Sequence, residues 1–328
     1  MSDKISIVVP CKNEEACIEL FYDAFVGVIS TLPVEYELIF VDDGSTDRTL
    51  EIFRTLARRD ASVRYISLSR NFGKEGAIYA GLKAATGNLV GLMDVDLQDP
   101  PELLREMYHG IKKEGYDCVG CRRTTREGES RVRSFFARAF YKIINRMSDA
   151  DIVDGARDYR LMSRRMTDAI LSMSEVDRFS KGLFGWVGFR TKWLEYRNID
   201  RVAGSTKWSF RKLSKYAIDG IEDFSTAPLK INFFLSLLCM LGALGVLAAH
   251  IVFAATDARF HEFMELSPIF IAVLFVGALI LFGMGVLGEY IAKILHEAKH
   301  RPVYLVKETE DDLKKVDRET REDTLQYR

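Results

Sequence analysis

The stretch VGLMDVDLQDP, residues 90–100, joins the end of an apolar run to three carboxylates, Asp94, Asp96 and Asp99. Carboxylates this close raise one another's pKa unless a cation lies among them or a turn separates them into water. Two carboxylates one residue apart, where a strand breaks into a turn, can both reach one divalent ion. Hard oxygen ligands suit Mg²⁺ or Mn²⁺, so Asp94 and Asp96 are candidate metal ligands. An Asp-X-Asp motif alone is common by chance, and the surrounding sequence decides its meaning.

Residues 1–120 alternate strand and helix patterns around this stretch. Apolar, β-branched runs predict strands at 5–10, 36–42, 63–69 and 88–94. Helical patterns follow them at 14–29, 46–57, 76–85 and from Pro100 onward, where two prolines suit a first helical turn. Near-continuous apolar strands joined by single helices predict an α/β fold with a mostly parallel sheet covered on both faces.

Polar clusters follow all four predicted strands. Ligands of such sheets bind beyond the carboxyl ends of the strands, so a site is expected just after residues 10, 42, 69 and 94. The clusters there are PCKNEE (10–15), DDGS (42–45), RNFGK (70–74) and DVD (94–96). One such cluster is often a cap or a turn, but four at one edge of a sheet predict a pocket.

The composition bounds the class of protein without choosing a partner. The 328 residues are 48% hydrophobic and 28% charged, as in folded proteins, and the net charge is −1. Five cysteines are scattered, and Cys118 and Cys121 form a CxxC within a strand-like run. No second CxxC or histidine pair accompanies it, which favours core cysteines in a reducing compartment over zinc or redox chemistry.

Two long apolar segments lie near the C-terminal end of the chain. Residues 231–255 and 267–288 span 25 and 22 positions without Asp, Glu, Lys or Arg. Each exceeds the roughly 20 residues that cross a bilayer core, and two buried core helices of this polarity would be unusual. The GxGxxG at 283–288 lies inside the second segment, which indicates close helix packing and not dinucleotide binding.

Flanking charges orient this predicted membrane hairpin. Lys230 precedes the first segment, and Lys293, Lys299 and Arg301 follow the second. The connection TDARFHEFMEL carries one Arg and three acids. The positive-inside rule therefore predicts that both termini are cytoplasmic. No cleavable signal is expected before the first strand, and the last 22 residues, which carry 14 charges, are expected to form a solvated tail that is helical in part.

The motifs PCKNEE, VDDGSTD, RNFGKEGA and MDVDLQDPPE, in this order, resemble the GT-A glycosyltransferases of inverting family two. Later stretches resemble the polyprenyl-phosphate subgroup, which includes dolichyl-phosphate mannose synthases and bactoprenol glucosyltransferases: DYRLMSRR (158–165), RVAGSTKWSFRKL (201–213), IDGIEDFSTAPL (218–229) and GEYIAKILHEAKHRPVY (288–304). The resemblance covers nearly the whole chain. It implies a Rossmann-like GT-A domain and metal-dependent, inverting transfer of a hexose from a nucleotide sugar to a polyprenyl phosphate.

The resemblance also assigns site residues by matching motif. Asp94 and Asp96 would hold Mg²⁺ or Mn²⁺ and the sugar diphosphate, with Asp96 counted among the catalytic residues. Gly44 would shape the loop after the second strand, and Asp99 is expected to cap the helix after Pro100. The residues expected to bind the nucleotide sugar are Pro10, Asn13, Glu15, Asp42, Asp43, Gly73, Lys74, Asp94 and Gln98.

The acceptor side should interleave basic and apolar residues, because a lipid phosphate approaches along the membrane. SRVRSFFARAFYKIINRM (130–147) has five Lys or Arg and no acid, in a pattern that suits a helix in the headgroup region or a core helix with a solvated basic face. WSFRKLSKYAIDGIEDF (208–224) is a second amphipathic stretch. The candidate phosphate-binding residues, any of which could instead be surface polar residues, are Arg122, Arg133, Arg201, Ser205 and Lys207.

Asp158 occupies the position of a candidate catalytic carboxylate in the related enzymes, and Asp154 is a weaker alternative. It would act as a general base if the acceptor were a sugar hydroxyl. A phosphate monoester has a second pKa of about 6 and is already largely anionic at neutral pH. Asp158 is then expected to orient a phosphate-binding arginine.

The prediction is therefore transfer of glucose from UDP-glucose to undecaprenyl phosphate, with a β-linked product, by a multi-pass protein of the inner membrane. Its expected parts are a cytoplasmic catalytic domain (1–200), juxtamembrane helices (201–229), two transmembrane helices within 230–292 (about 231–255 and 267–290) and a charged tail (293–328). No nucleic acid is expected as a partner, and homo-oligomer formation stays open. The alternatives are a processive polysaccharide synthase, which lacks support because no QxxRW segment is present, and a catalytically silent nucleotide-sugar-binding scaffold.

Overall fold

The structure, a computed structural model, describes residues 3–124, 153, 155–173, 175–196, 227–256 and 266–326. Its strands are β1 Asp3–Cys11, β2 Val34–Asp42, β3 Val63–Leu68, β4 Leu89–Leu92, β5 Cys118–Arg123, β6 Ala156–Ser163, β7 Thr191–Tyr196 and β8 Val306–Thr309. Its helices are α1 Ile18–Ile29, α2 Thr49–Arg59, α3 Lys74–Ala84, α4 Leu103–Lys112, α5 Arg164–Ser172, α6 Ser180–Trp186, α7 Ala227–Thr256, α8 Leu266–Ala298 and α9 Glu310–Gln326.

The described strands form one sheet in the order β7-β5-β6-β4-β1-β2-β3-β8. Strands β4, β1, β2 and β3 are mutually parallel, as are β5 and β7, whereas β6 and β8 run antiparallel to their neighbours. The four predicted strands are present with a helix after each. The expected α/β fold with a mostly parallel sheet is therefore confirmed.

Both faces of the sheet are covered by apolar helix faces. Helices α1, α2 and α4 pack on one face around Phe21, Phe25 and Phe40, while α3, α5 and α6 pack on the other. Helix α3 lies very close to the sheet, because a Cβ at Gly81 would stand 2.1 Å from Cγ1 of Val8. That close approach holds α3, which begins at Lys74, directly against β1.

The predicted membrane segments form two long helices, α7 and α8. Within the part of the chain that the structure describes, one stretch, Phe275–Ala298, is long and apolar enough to cross a bilayer, and Asn232–Gly242 is a shorter apolar helix. Large apolar side chains such as Phe234 and Leu281 are exposed along these helices. The described residues thus contain one helix that could span a membrane. The expected hairpin of two transmembrane helices is not confirmed.

The expectation of a solvated C-terminal tail is wrong for its first part, although the expected helix is present as α9. Strand β8 pairs antiparallel with β3, and Glu310 and Leu313 are buried. Arg54 Nε donates to Glu308 at 2.8 Å, and Arg64 Nε donates to Glu310 at 2.6 Å. An open edge of β3 would expose unpaired backbone groups, and this acidic segment covers that edge where basic side chains stand.

Candidate active site

Side chains that were predicted to bind the nucleotide sugar join the loops after β1 and β2, because they accept hydrogen bonds across the gap between the loops. Asn13 has a φ of 53°, a left-handed conformation that asparagine tolerates well. Its side-chain oxygen accepts from the backbone N–H of Thr46 at 2.7 Å, and Glu15 accepts from that of Arg48 at 2.9 Å. Pro10 pairs in register with Val41 at the end of β1. Asn13 and Glu15 therefore shape this edge of the site.

Asp42 and Asp43 are buried at the end of β2 and hold different loops. Asp42 accepts from the backbone N–H of Ser45 and from the hydroxyl of Ser67, at 2.8 and 2.9 Å. Asp43 accepts from the backbone N–H groups of Phe72 and Gly73. Burial raises the pKa of Asp43, against the lowering by those N–H donors. Asp43 thereby fixes the residue that precedes α3.

Gly44 and Gly73 have left-handed backbones that glycine adopts without strain, with φ values of 66° and 90°. A Cβ at Gly44 would lie 2.7 Å from the backbone carbon of Arg70. The loop after β2 consequently fits directly against the loop after β3. This fit brings Gly73 and Lys74 to the same edge as Asp42.

Lys74 connects two carboxylates from different strands. Its Nζ donates to Asp94 Oδ1 at 2.7 Å and to Asp158 Oδ2 at 2.5 Å. Asp94 follows β4, and Asp158 lies in β6, the antiparallel neighbour of β4. The structure therefore brings together three of the predicted site residues. Sequence spacing did not predict the contact of Lys74 with Asp158, since 84 positions separate them.

The charges of this cluster fix its protonation. Burial by itself would raise the pKa of Asp158, but the charges of Lys74 and Lys181 hold it well below its usual range. Burial would lower the pKa of Lys74, but Asp158 and Asp94 raise it. Asp158 is consequently ionised, and Lys74 is charged, across the whole physiological pH range.

Asp96 lies two residues beyond Asp94 in a tight turn. Its Oδ1 accepts from the backbone N–H of Gln98 at 3.3 Å, and Leu97 between them has a φ of 54°. A left-handed backbone in a residue such as leucine stores strain, which is frequent at functional sites. Among the described residues, no group of three or more His, Cys, Asp or Glu stands ready to hold a metal ion. The pair Asp94 and Asp96 fits a Mg²⁺ or Mn²⁺ ion that completes its shell with phosphate oxygens and water.

The expected capping role of Asp99 is wrong. Helix α4 begins at Leu103 and has no side-chain cap, so Asp99 lies too far upstream. Asp99 is instead buried, accepts from Arg157 Nε at 2.9 Å and accepts from the hydroxyl of Tyr196. Burial by itself would lower the pKa of Arg157, but Asp99 and Asp94 raise it. Burial raises the pKa of Asp99, against the lowering by the Arg157 charge. The third carboxylate of the opening stretch is thus paired with an arginine.

The predicted acceptor residues are only partly described. Arg122 is on β5 and donates from Nε to Glu195 Oε1 at 3.0 Å, so a carboxylate already pairs with it. The Gln98 side chain is 3.5 Å from an Arg157 nitrogen. The following predictions lie outside the described residues: Arg133, Asp154, Arg201, Ser205, Lys207 and the amphipathic stretches 130–147 and 208–224.

Two buried arginines of β6 were missed by sequence reasoning. Arg157 and Arg160 flank Asp158 in the segment RDYR, and both are largely enclosed in the structure. Strand alternation sends Arg157 to one face of the sheet and Arg160, with Asp158, to the other. Two arginines around a candidate catalytic carboxylate, in an otherwise apolar strand, were the signal that could have revealed them.

Several known proteins are similar to this chain in sequence. The chain is 41% identical over 304 residues to the putative glycosyltransferase CsbB of Bacillus subtilis (strain 168), covering 93% of this chain and 91% of that protein. It is 39% identical over 306 residues to a bactoprenol glucosyl transferase of Shigella phage SfV, covering 93% and 98%. Among solved structures, glucosyl-3-phosphoglycerate synthase from Mycobacterium tuberculosis, in complex with Mn²⁺, UDP-glucose and phosphoglyceric acid, aligns with a TM-score of 0.45 at 24% identity over 67% of this chain and 78% of that one.

The family assignment follows from the sequence match. The glycosyl transferase family 2 profile covers residues 6–171, which include every loop of the carboxyl-edge site from Asn13 to Asp158. Relatives about 40% identical over nine-tenths of the chain carry glycosyltransferase names. This chain is therefore a glycosyltransferase and belongs to glycosyl transferase family 2.

Proposed function

We propose that this enzyme transfers a hexose, most simply glucose from UDP-glucose, to a polyprenyl phosphate such as undecaprenyl phosphate at the cytoplasmic face of the membrane. The observation that carries the proposal is the cluster of Lys74, Asp94 and Asp158 beside Asp96. It supplies both acidic and basic groups at the edge of the sheet where nucleotide ligands bind. Similarity to proteins named bactoprenol glucosyl transferase supports the acceptor class.

The donor is proposed to bind along the carboxyl ends of β1 to β4. Support comes from the hydrogen bonds that connect Asn13, Asp42 and Asp43 into one continuous edge. A Mg²⁺ or Mn²⁺ ion held by Asp94 and Asp96 would neutralise charge on the departing nucleoside diphosphate. The other proposed donor contacts are Pro10, Glu15, Gly73, Lys74 and Gln98.

Asp158 is proposed to position Lys74 and not to remove a proton. Its carboxylate is a weak base because its pKa lies far below neutral. The acceptor phosphate, with a second pKa of about 6, needs no base at neutral pH. The side-chain partner of Asp158 in the structure is Lys74, whereas the sequence suggested an arginine. Lys74 is thereby held where a charged phosphate can meet its ammonium group.

The reaction is proposed to invert the anomeric carbon. A phosphate oxygen of the acceptor attacks that carbon on the face opposite the nucleoside diphosphate. The new carbon–oxygen bond forms as the old one breaks, and the nucleoside diphosphate leaves with the electron pair. An α-linked donor then gives a β-linked lipid-phosphate sugar, and no proton transfer is required.

Helices α7 and α8 are proposed to form a transmembrane hairpin, with both termini cytoplasmic. The contacts at the end of α8 support this arrangement: Glu297 accepts from the backbone N–H of Val176 at 2.7 Å, and His296 Nδ1 lies 3.2 Å from Asp177 Oδ2. These contacts keep the end of α8 on the same side as the GT-A domain. The proposed parts are the catalytic domain (1–200), juxtamembrane helices (201–229), hairpin (230–292) and C-terminal segment (293–328).

Arg122, Arg133, Arg201, Ser205 and Lys207 stay proposed contacts of the acceptor or diphosphate. Arg133, Arg201, Ser205 and Lys207 lie outside the described residues, so only the sequence supports them. Arg122 would have to exchange Glu195 for a phosphate, which an exposed pair in water allows at small cost.

Mass spectrometry of lipid products tests the proposed function. Full-length protein in detergent is incubated with undecaprenyl phosphate and a panel of nucleotide sugars, in Mn²⁺, Mg²⁺ or chelator. The expected product is the lipid phosphate plus one hexose, formed from UDP-glucose with either metal and absent in chelator. Metal-dependent binding of nucleotide sugar without transfer to any lipid phosphate would favour a silent scaffold and contradict the proposal.

A further inference from the structure

A cavity of about 210 Å³ adjoins Asp158 on one face of β6. Side chains alternate along a strand, so Ala156, Asp158 and Arg160 share that face. Ala156 and Arg160 both line the cavity and therefore flank Asp158. The remaining lining residues come from α6, the loop after it, strand β7 and the residue range before β6: Lys181, Phe184, Gly185, Phe189, Thr191, Trp193 and Val153.

Arg160 is buried in the wall of this cavity, with 2% of its surface exposed. Its guanidinium donates to the backbone carbonyls of Asp158 and Arg157, at 3.2 and 2.8 Å, and lies 3.6 Å from the centre of the Phe184 ring. Within the described residues no ion pair joins it to a carboxylate, and the Asp158 side chain is bonded to Lys74. The charge of Asp158 acts on Arg160, but a buried cation without a direct ion pair is costly, so a further anion is expected beside it.

Lys181 gives the cavity a second cation. Its charge acts on Asp158, and no ion pair engages it in the parts of the chain that the structure describes. Helix α6 is held in place at the preceding residue, since Glu75 accepts from both the backbone N–H and the hydroxyl of Ser180. Glu75 is the neighbour of Lys74 in α3. The position of Lys181 is therefore fixed relative to Lys74, Asp94 and Asp158.

The walls between these cations are aromatic. Phe184, Phe189 and Trp193 line the same cavity, and the guanidinium of Arg160 stacks on the first of them. Two cations next to apolar walls match a ligand with a doubly charged end and an apolar stem. A nucleotide sugar, which is polar at both ends, matches this lining poorly.

We propose that this cavity is the subsite for the phosphate monoester of the acceptor, held by Arg160 and Lys181, with the aromatic side chains against the first part of its apolar chain. The inference rests on the proposed function and deepens it. It brings the attacking oxygen next to Asp158 and Lys74, on the same face of β6. It also gives Arg160 and Lys181, which form no ion pair with any described residue, a common counter-ion.

Two cavity variants and one matched control test the subsite in the full-length protein. Lys181→Gln removes the accessible charge, and Arg160→Lys keeps charge but loses the planar donor pair. Lys192→Gln removes a lysine from β7 beside two lining residues, but Lys192 pairs with Glu114 outside the cavity. The readouts are KM for farnesyl phosphate, KM for the nucleotide sugar, and Kd for farnesyl phosphate and for inorganic phosphate by calorimetry.

Each cavity variant is expected to raise the KM and Kd for farnesyl phosphate about tenfold, the loss of one charge-assisted contact. The KM for the nucleotide sugar should stay within about twofold, and Lys192→Gln should change nothing beyond that limit. Farnesyl phosphate should bind wild type at least about tenfold more tightly than inorganic phosphate, because only the former fills the aromatic walls. Should Arg160→Lys fail to fold, half-buried Lys181 still carries the test.

Failure of this inference is distinguishable from failure of the proposed function. If the wild-type protein transfers hexose to the lipid phosphate, and both variants keep the wild-type KM and Kd for farnesyl phosphate, the subsite alone is overturned. Equal affinity for inorganic and farnesyl phosphate would make the cavity a free-anion site and overturn the acceptor assignment. A raised KM for the nucleotide sugar in the two cavity variants would instead assign the cavity to the diphosphate of the sugar donor. If no lipid phosphate accepts a hexose, the proposed function fails, and the Kd for farnesyl phosphate still decides the subsite.

Discussion

Two charge clusters lie at opposite ends of the same parallel strands. At the amino end, Glu37 of β2 is buried and accepts from Ser6 Oγ and from the backbone N–H of Thr86, both at 2.6 Å. Lys4 and Arg64 reach its other oxygen at 3.1 and 3.2 Å. At the carboxyl end, one lysine, Lys74, serves two carboxylates, and Asp96 adds a third acid nearby.

The difference between the clusters separates stability from function. Every oxygen of Glu37 is satisfied by the protein itself, so that cluster is closed and has no place for a ligand. In the carboxyl-end cluster a single lysine is shared by two carboxylates that come from different strands, and the cluster stands at the edge where ligands of such sheets bind. We therefore expect changes at the amino end to alter stability and changes at the carboxyl end to alter activity.

The largest expected effect is that of Asp94→Ala on activity. Loss of a carboxylate proposed to bind the metal ion, and of a Lys74 partner, should lower turnover about 10³-fold. The free energy of unfolding should change by less than about 1 kcal/mol, since Lys74 keeps Asp158. Turnover of UDP-glucose and urea unfolding in detergent measure the two quantities. Asp168→Ala, an exposed acid of α5 in an i,i+4 pair, is the control that should leave both unchanged.

Asp158→Asn should lower turnover about 10²-fold by releasing Lys74. The carboxylate is ionised across the assay range because its pKa is held far below neutral. Wild-type and variant rates should therefore both rise through the second phosphate pKa of about 6 and then level off. Rate profiles between pH 5 and pH 9 make the measurement. If the transfer rate of the variant recovered at high pH, Asp158 would be a true general base. The proposed positioning role of this cluster would then be wrong.

Glu37→Gln should show the opposite behaviour, with lost stability and retained activity. Burial raises the pKa of Glu37, but bonds from Ser6, Thr86 and Lys4 lower it from 4.5 to about 2. That depression corresponds to about 3 kcal/mol of stability. It is fully present above the unfolded pKa of about 4.5 and is lost as pH falls toward 2.

Urea unfolding at pH 7 and pH 3 measures this difference. Wild type should lose a large part of the 3 kcal/mol between the two pH values, and Glu37→Gln should lose much less. Turnover per folded molecule should match wild type, because Glu37 lies at the far end of the strands. A variant that is stable but inactive would show that the amino-end cluster is coupled to the site.

The carboxyl-edge cluster was largely predictable from sequence because its signals are local. Apolar runs predicted the four strands, and polar residues directly after them predicted the edge that contains Asp42, Asp94 and Lys74. The contact between Lys74 and Asp158 could not be predicted from sequence, because it depends on the pairing of β6 with β4, which only the three-dimensional structure reveals. A parallel sheet brings strand ends together, but the order of strands in it is not written in any one segment.

The errors came from residues whose partners are distant in sequence. Asp99 looked like a helix cap because Pro100 follows it, yet its partners Arg157 and Tyr196 are 58 and 97 positions away. The charged C-terminal segment looked solvated for the same reason. Its acids pair with Arg54 and Arg64, 254 and 246 positions earlier. Charge density in a short segment cannot reveal complementary charge elsewhere in the chain.

The C-terminal segment offers an intermediate test of the comparison. Glu308 accepts from Arg54 and from the hydroxyl of Tyr65, and its side chain is 19% exposed. Glu308→Gln should lower the free energy of unfolding by about 1 kcal/mol, since the largely enclosed Glu308 carboxylate loses its charge toward Arg54, whose side chain is 36% exposed and partly screened by water. Activity per folded molecule should be unchanged. A loss of activity without a loss of stability would mean that β8 transmits its position to the loop after β3.

The smallest expected effect is that of Asp317→Asn in the same segment, and it sets the lower limit of the comparison. Asp317 pairs with Arg58 at 2.8 Å, but their side chains are 37% and 52% exposed. Water and salt screen such a pair, so its loss should change the free energy of unfolding by less than about 0.5 kcal/mol. The same urea titration, repeated in 0.5 M salt, should shrink even that difference. If Asp317→Asn proved as destabilising as Glu308→Gln, ion-pair number and not enclosure would govern stability at this edge, and the distinction between closed and exposed clusters would fail.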